Sequence, residues 1–165
     1  MDLTNEVMIK NFVDKYLNPE TELDILDIGS QDVNGTFKPF FYSPKWRYTG
    51  LDIVAGPNVD IVVAPYDYTL DKKFDVVISG STMEHVEDLK EWALQVMRTL
   101  KNNTLIFFSA PLDHPVTHRH PKDCWRVYED GMKWIMKDIM GLEILELYVH
   151  DGTTFGIGKY VEKEK

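Results

Sequence analysis

The chain has 165 residues, of which 44% are hydrophobic and 27% charged; this is the composition of a globular domain, and no uninterrupted apolar run is long enough to span a bilayer. The formal net charge of −9 disfavours nucleic acid binding, because nucleic acid binders concentrate basic residues into a patch. We therefore predict a single domain over residues 1–165, with no membrane span and no nucleic acid partner.

The first half of the chain predicts one helix and then four short strands. Apolar residues recur at helical spacing from Ile9 to Tyr16, and Pro19 follows where such a helix should end. Four apolar runs of strand length, rich in Ile and Val, come next at 23–28, 48–53, 59–63 and 74–79. Runs of this kind indicate buried parallel strands. The connections after the second and third runs are too short for full helices.

The second half predicts two more helices and three more strands. Leu89, Ala93, Val96, Met97 and Leu100 form a helical stripe, and the apolar run 105–108 indicates a fifth strand. A second stripe from Met132 to Ile139 is closed by Gly141, a residue favoured just past a helix end. The runs 142–149 and 155–161 flank Asp151-Gly152, a turn signal, and predict a terminal hairpin.

These elements predict an α/β three-layer sandwich. Its mostly parallel, seven-stranded sheet ends in an antiparallel hairpin, and in such folds ligands bind at the carboxyl ends of the strands.

The stretch "LDILDIGSQDVNG" runs a predicted strand into Gly29 with only one further glycine. A dinucleotide requires three glycines that let backbone N–H groups cradle its pyrophosphate, and here Gln31, Asp32 and Val33 occupy that region. A ligand made of adenosine and an amino acid joined by a sulfonium has no phosphate. Asp52, at the end of the second strand, is placed to accept hydrogen bonds from ribose hydroxyls. Both features suit S-adenosylmethionine.

Here the sequence resembles the class I S-adenosylmethionine-dependent methyltransferases, in particular the type 11-like group, over nearly its whole length. "LDIGS" is similar to their first motif, "YTGLDI" to the second, and "FDVVISGSTMEHVED" to the motif of the fourth strand. "HRHPKDCWRVYEDGM" resembles a His-x-x-Pro-x-Asp-x-Trp-Arg segment that follows the fifth strand in one group of these enzymes. The resemblance implies a Rossmann-like fold, S-adenosylmethionine as cofactor and in-line methyl transfer to a small polar acceptor.

The resemblance also implies the cofactor site. It puts Asp27 and Gly29 beside the methionine part, Asp52 on the ribose, and Ser79, Gly80 and Ser81 near the transferable methyl. The usual acid after the third strand is missing at Ala64, and Tyr66 or Asp67 serves instead. The remaining residues expected at the cofactor are Ser30, Gln31 and Ile53.

Histidines and the segment after the fifth strand are the candidates for catalysis and acceptor binding. If the nucleophile is a hydroxyl, a base must take its proton, and His85, His114 and His118 are the candidates. If it is an anion or a neutral amine, no base is needed. His120, Trp125 and Arg126 are expected to bind the acceptor, although Trp125 could instead be a core anchor and Arg126 could pair with a carboxylate. No metal site is predicted.

Two other classes of function remain open at this stage. One is a non-catalytic cofactor-binding or interaction protein with a methyltransferase fold, suggested by the altered first motif. The other is a nicotinamide oxidoreductase, which should carry three glycines. The N-terminus without an apolar signal core and the single Cys124 favour a reducing cytoplasm, while the oligomeric state is not indicated.

Overall fold

The chain forms a seven-stranded sheet with helices on both faces. The structure, a computed structural model, describes residues 3–113, 119 and 121–163. The strands are β1 (Leu23–Ile28), β2 (Trp46–Asp52), β3 (Ile61–Val62), β4 (Phe74–Gly80), β5 (Leu100–Pro111), β6 (Glu143–His150) and β7 (Thr153–Lys159). The helices are α1 (Leu3–Tyr16), α2 (Leu89–Met97) and α3 (Glu129–Lys133), which continues as a π-helix over Trp134–Ile139. Two 3-10 turns lie at Lys38–Phe40 and Met83–His85.

The strand order is β3-β2-β1-β4-β5-β7-β6. The first five strands are parallel, and β7 runs antiparallel to both β5 and β6. This confirms the predicted fold class. Asp151 and Gly152 form the hairpin turn with φ of 43° and 70°, the positive values that a tight hairpin turn requires. The strand order reverses between β1 and β4, and ligands of open α/β sheets bind at this point of the carboxyl edge.

Apolar side chains alternate between the two faces of the sheet, as the period of two in a strand requires. On one face, α1 buries Ile9, Phe12 and Val13 against the strands. On the other face, α2 and the helix after it cover the strands, with core residues that include Leu26, Val77, Trp92, Ile106, Phe108, Met132 and Met136. Every central strand is therefore covered on both sides, which explains their near-continuous apolar sequences.

The connection from β1 to β2 differs from a regular helical crossover. Residues 29–45 contain no α-helix, only the 3-10 turn Lys38–Phe40, and they include Pro39 and Pro44. Buried Phe37 and Phe41 pack in the core cluster of α1 and take the place of a helix there. As predicted, no helix follows β2 or β3, since residues 53–60 and 63–73 are turns and extended chain.

Several element bounds differ from the predictions. β2 begins at Trp46, β3 has two residues, and β5 has twelve rather than four. β6, at the free edge of the sheet, is interrupted by a register shift between Ile144 and Glu146. α2 begins after Asp88, which caps the helix by accepting a hydrogen bond from the Glu91 backbone N–H at 2.9 Å. Within the described residues, no helix has the length and apolar character needed to cross a membrane.

Candidate functional site

A cleft of about 400 Å³ opens at the carboxyl edge of the sheet. Its walls come from the ends of β1, β2 and β4, the start of α1 and the chain that follows β5. Both its place at the reversal of strand order and its volume are typical of small-molecule sites.

Gly29 closes the end of β1 against the turn after β4. Its φ is +78°, and a Cβ atom there would lie 2.1 Å from the Thr82 hydroxyl oxygen. Its backbone N–H donates to the Leu51 carbonyl at 2.8 Å, which ties β1 to β2 at the same point. Only glycine allows both this conformation and this close approach.

The loop after Gly29 offers no helix N-terminus to a ligand. It turns through Asp32, whose Oδ1 accepts a hydrogen bond from the Gly35 N–H at 2.8 Å. Because no α-helix lies in residues 29–45, the backbone N–H cradle that holds a pyrophosphate is not formed there. The structure of this loop therefore supports the argument against a dinucleotide.

Asp52, at the end of β2, is half-buried and lines the cleft. Its Oδ2 accepts from the Gln31 N–H at 3.0 Å and its Oδ1 from the Val54 N–H at 3.2 Å. These two bonds fix the carboxylate, and each oxygen keeps a second lone pair. The carboxylate is thus oriented by the protein and able to accept from hydroxyl groups.

Asp27, at the end of β1, lies deeper in the same wall and is only 4% exposed. Its carboxyl group accepts a hydrogen bond from the Tyr48 hydroxyl. The pKa of Asp27 is raised to about 7. Burial is the main cause, the hydrogen bond from Tyr48 lowers the pKa, and the nearby charge of Asp52 raises it. A cation bound in the cleft would favour the charged form of this group.

The turn after β4 carries the histidine of the site. His85 lines the cleft, and its Nδ1 contacts the Lys122 carbonyl oxygen. A carbonyl only accepts, so Nδ1 donates this hydrogen bond, while Nε2 lies 3.7 Å from the Glu84 carboxyl oxygen Oε1. In the part of the chain that the structure describes, no group of three His, Cys, Asp or Glu residues could hold a metal ion.

Glu84, next to His85, is a buried carboxyl group outside the cleft lining, and is 2% exposed. Among the described residues, its Oε2 has no hydrogen-bond partner. The pKa of Glu84 is raised to about 7. Burial is the main cause and the charge of Asp123 acts in the same direction, whereas a backbone hydrogen bond and the charge of Arg126 lower the pKa.

Residues 122–126, which we call the strap, belong to the chain after β5 and are hydrogen-bonded to the turn after β4. The N–H groups of Cys124 and Trp125 donate to the Glu84 carbonyl at 2.6 and 3.3 Å, and Trp125 Nε1 donates to the Val86 carbonyl at 2.6 Å. The strap therefore holds the chain after β5 against the wall that contains His85.

The charged side chains of the strap are engaged within the protein. Arg126 donates two hydrogen bonds to Asp123, at 2.5 and 2.9 Å, in the two-pronged arrangement typical of guanidinium and carboxylate. Lys122 pairs with Glu87 at the surface.

The structure brings most of the predicted cofactor residues together. Nine predicted site residues line the cleft: Asp27, Gly29, Ser30, Gln31, Asp52, Ile53, Gly80, Ser81 and His85. Ser79 is buried beside it and donates to the Ile28 carbonyl. His114, His118 and His120 lie outside the described residues. The roles of all these residues stay predictions.

Besides Ser79, three predicted site residues do not line the cleft. Tyr66 accepts a hydrogen bond from the Asp88 N–H at 3.0 Å, before α2. Trp125 and Arg126 are strap residues, and Trp125, 44% exposed, is no core anchor either. Tyr66 and Trp125 thus make contacts between loops, and Arg126 pairs with Asp123 within the strap.

Other residues of the cleft were not predicted, among them Asn5, Tyr68 and Arg119. Asn5 comes from α1, where its Oδ1 accepts from the buried Ser109 hydroxyl at 2.8 Å. Tyr68 lines the cleft two residues beyond Tyr66, so the prediction selected the right segment but the wrong tyrosine. Arg119 was overlooked although it lies inside the segment selected for acceptor binding.

Comparisons with known proteins agree with this geometry. Residues 5–146 match the family model described as "Methyltransferase domain". No curated protein matches the sequence.

Solved structures similar to this chain share its fold at low sequence identity. A SAM-dependent methyltransferase from Aquifex aeolicus is 14% identical, with a TM-score of 0.66 over 92% of this chain and 89% of that one. The 1,6-didemethyltoxoflavin-N1-methyltransferase from Burkholderia thailandensis, solved with 1,6-didemethyltoxoflavin and S-adenosylhomocysteine, is 12% identical, with a TM-score of 0.73 over 96% and 80%. The N-methyltransferase NodS from Bradyrhizobium japonicum is 12% identical, with a TM-score of 0.65 over 96% and 94%.

Proposed function

Because the chain belongs to the methyltransferase-domain family that its residues 5–146 match, we propose that it transfers a methyl group from S-adenosylmethionine to a small polar acceptor. The observation that carries this proposal is the pair of carboxylates, Asp27 and Asp52, that line one cleft at the ends of β1 and β2 without a phosphate cradle. Such a wall suits a ligand that carries ribose hydroxyls and positive charge but no phosphate.

The residues of the cleft fit the cofactor part by part. Asp52 would accept from the two ribose hydroxyls, with its orientation set by Gln31 and Val54. Asp27 would face the positively charged methionine part, which compensates the cost of burying its carboxylate. The exposed apolar side chain of Ile53 would contact the adenine.

The cofactor supplies a methyl group on a sulfonium, which is transferred by direct in-line displacement. The protein contributes chiefly by holding the nucleophile close and aligned, and little covalent machinery is required. For a hydroxyl nucleophile, His85 would take the proton through Nε2, since the Lys122 carbonyl holds the proton on Nδ1. For an amine or an anion, His85 would only bind. His114 and His118 stay alternative bases.

The finer assignments are proposals of the same kind. The His-x-x-Pro-x-Asp-x-Trp-Arg segment would place the chain in the type 11-like group. The single Cys124 would suit a cytoplasmic location.

A thermal-shift comparison of S-adenosylhomocysteine with NAD tests the proposal. A ligand at 100 times its dissociation constant stabilises a one-site protein by about 2.7 kcal/mol, which corresponds to roughly 5 to 10 °C for a domain of this size. We expect such a shift with S-adenosylhomocysteine and none with NAD. Calorimetry on folded protein that detects no binding of S-adenosylhomocysteine, or equal binding of NAD, would contradict the proposal.

A further inference from the structure

Charges are segregated within the cleft. Among the described residues that line it, Asp27 and Asp52 are acidic, and Arg119 is the one side chain with a permanent positive charge. The two acids end β1 and β2, on one side of β4, whereas Arg119 belongs to the chain after β5, on the other side. The cation thus comes from a different segment of the chain than the acidic wall.

Arg119 also differs from the other arginines in its partners. The chain has four arginines, and Arg47, Arg98 and Arg126 each donate to a side chain of the protein. Toward the residues that the structure describes, Arg119 makes no hydrogen bond or ion pair. None of its five N–H donors is engaged by the described part of the chain.

The segment that carries Arg119 leads into the strap. Pro121, which also lines the cleft, immediately precedes the strap. The strap itself is bonded to the Glu84 and Val86 carbonyls in the turn that carries His85. Arg119 and His85 therefore line the same cleft from two segments that are joined to each other.

The negative net charge of the protein gives significance to a positive side chain in the cleft. At a formal net charge of −9, the protein repels small anions at long range, so an anionic ligand needs local compensation. We propose that Arg119 binds a carboxylate or phosphate group of the methyl acceptor, and that the acceptor is accordingly a small organic anion. This inference rests on the proposed function, which supplies the cofactor on the acidic side of the cleft.

The cofactor's own carboxylate is the competing partner for Arg119. Our assignment puts the methionine part beside Asp27 and Gly29, on the far side of β4 from the chain that carries Arg119. The test must nevertheless separate the two carboxylates, and 5′-methylthioadenosine makes this possible because it lacks the amino acid part.

The first arm of the experiment compares Arg119→Gln with the wild type and with Arg98→Gln. Arg98 is an exposed arginine after α2 that does not line the cleft, so this control makes the same substitution elsewhere. S-adenosylhomocysteine and 5′-methylthioadenosine are titrated calorimetrically. We expect both affinities to stay within about twofold in both variants. A tenfold loss for S-adenosylhomocysteine alone in Arg119→Gln would assign Arg119 to the cofactor and overturn the inference.

The second arm uses protein saturated with S-adenosylhomocysteine and three small probes: benzoate, phenyl phosphate and benzamide. We expect the wild type and Arg98→Gln to bind at least one of the anions fivefold or more tightly than the neutral amide, and the preferred anion identifies carboxylate or phosphate chemistry. Arg119→Gln should lose this preference to within twofold. An unchanged preference in Arg119→Gln, or no binding of either anion to the wild type, would overturn the inference. Failure of the wild type to bind S-adenosylhomocysteine would instead contradict the proposed function.

Discussion

Three buried or half-buried carboxyl groups near the cleft have different environments, and these environments define different roles. Asp52 accepts two backbone hydrogen bonds and stays oriented toward the cleft. Asp27 has a pKa near 7 and shares a hydrogen bond with Tyr48, while Glu84 has a similar pKa but lies outside the cleft lining. Similar pKa values thus belong to a carboxyl group that lines the cleft and to one that is buried outside its lining.

Replacing Asp52 with Asn should weaken cofactor binding. Hydrogen bonds from ribose hydroxyls to a charged acceptor are worth about 1.5 to 3 kcal/mol, so the affinity for S-adenosylhomocysteine should fall about 10- to 150-fold in calorimetry. Asp71→Asn, which removes the same charge at an exposed position away from the cleft, is the matched control. If Asp52→Asn stays within twofold of the wild type, Asp52 does not bind the ribose.

Replacing Glu84 with Gln should change how stability depends on pH. Because the pKa of Glu84 is raised from 4.5 to about 7, the folded protein keeps a proton in this window that the unfolded chain releases. The contribution of the protonated Glu84 side chain to the free energy of unfolding is fully present below pH 4.5 and is lost as the pH rises to 7. It is on the order of 3 kcal/mol. The free energy of unfolding of Glu84→Gln, relative to the wild type, should therefore rise between pH 4.5 and 7 and then level off.

Chemical denaturation at several pH values measures this difference. Glu87→Gln, at an exposed neighbouring position, should show no such rise. Parallel pH profiles for Glu84→Gln and the wild type would show that Glu84 is not held protonated in the folded protein.

At the scale of elements, the strap joins two loops that the sheet alone would leave separate. It connects the chain after β5 to the turn after β4 through hydrogen bonds to two backbone carbonyls, those of Glu84 and Val86. If Arg119 binds the acceptor as proposed, acceptor binding and the position of His85 both depend on the contacts of the strap.

Replacing Trp125 with Phe should destabilise the protein modestly. The variant loses the hydrogen bond from Nε1 to the Val86 carbonyl, and one such bond contributes about 0.5 to 1.5 kcal/mol. Trp134 is as exposed as Trp125, at 45% against 44%, and its indole makes no hydrogen bond to the described residues. Trp134→Phe is therefore the control in urea unfolding. Equal losses of stability in the two variants would show that the indole hydrogen bond of Trp125 makes no measurable contribution.

The helix after the strap shows what hydrophobic spacing can and cannot predict. Met132, Ile135 and Met136 are buried as their spacing indicates. The same stripe does not distinguish an α-helix from the π-helix over Trp134–Ile139, because both bury a similar face. The 3-10 turn after β1 was not predicted. Phe37 and Phe41 are four residues apart, a spacing that also fits an α-helix, but Pro39 lies between them and residues 29–45 form no α-helix.

At the scale of the whole molecule, the fold was predictable because the central parallel strands β1, β4 and β5 are buried on both faces. Runs such as 23–28 and 74–79 are then almost continuously apolar, and only their pairing partners need tertiary information. The cleft was predictable where it lies at strand ends, as with Asp27 and Asp52. It was not predictable at Asn5, because α1 reaches the cleft only in the folded protein, whereas Arg119 lies in the segment that was predicted to bind the acceptor but was not itself selected.

The register shift in β6 bears on how copies of the molecule meet one another. An edge strand of eight residues carries unpaired backbone groups that another chain could extend into a continuous sheet. Here the irregularity between Ile144 and Glu146 interrupts the regular ladder, and Glu146 forms an ion pair with Lys15 beside it. At the opposite edge, β3 offers only two residues. Both borders of the sheet are thus poor templates for intermolecular strand pairing, so the protein should resist aggregation through its edges.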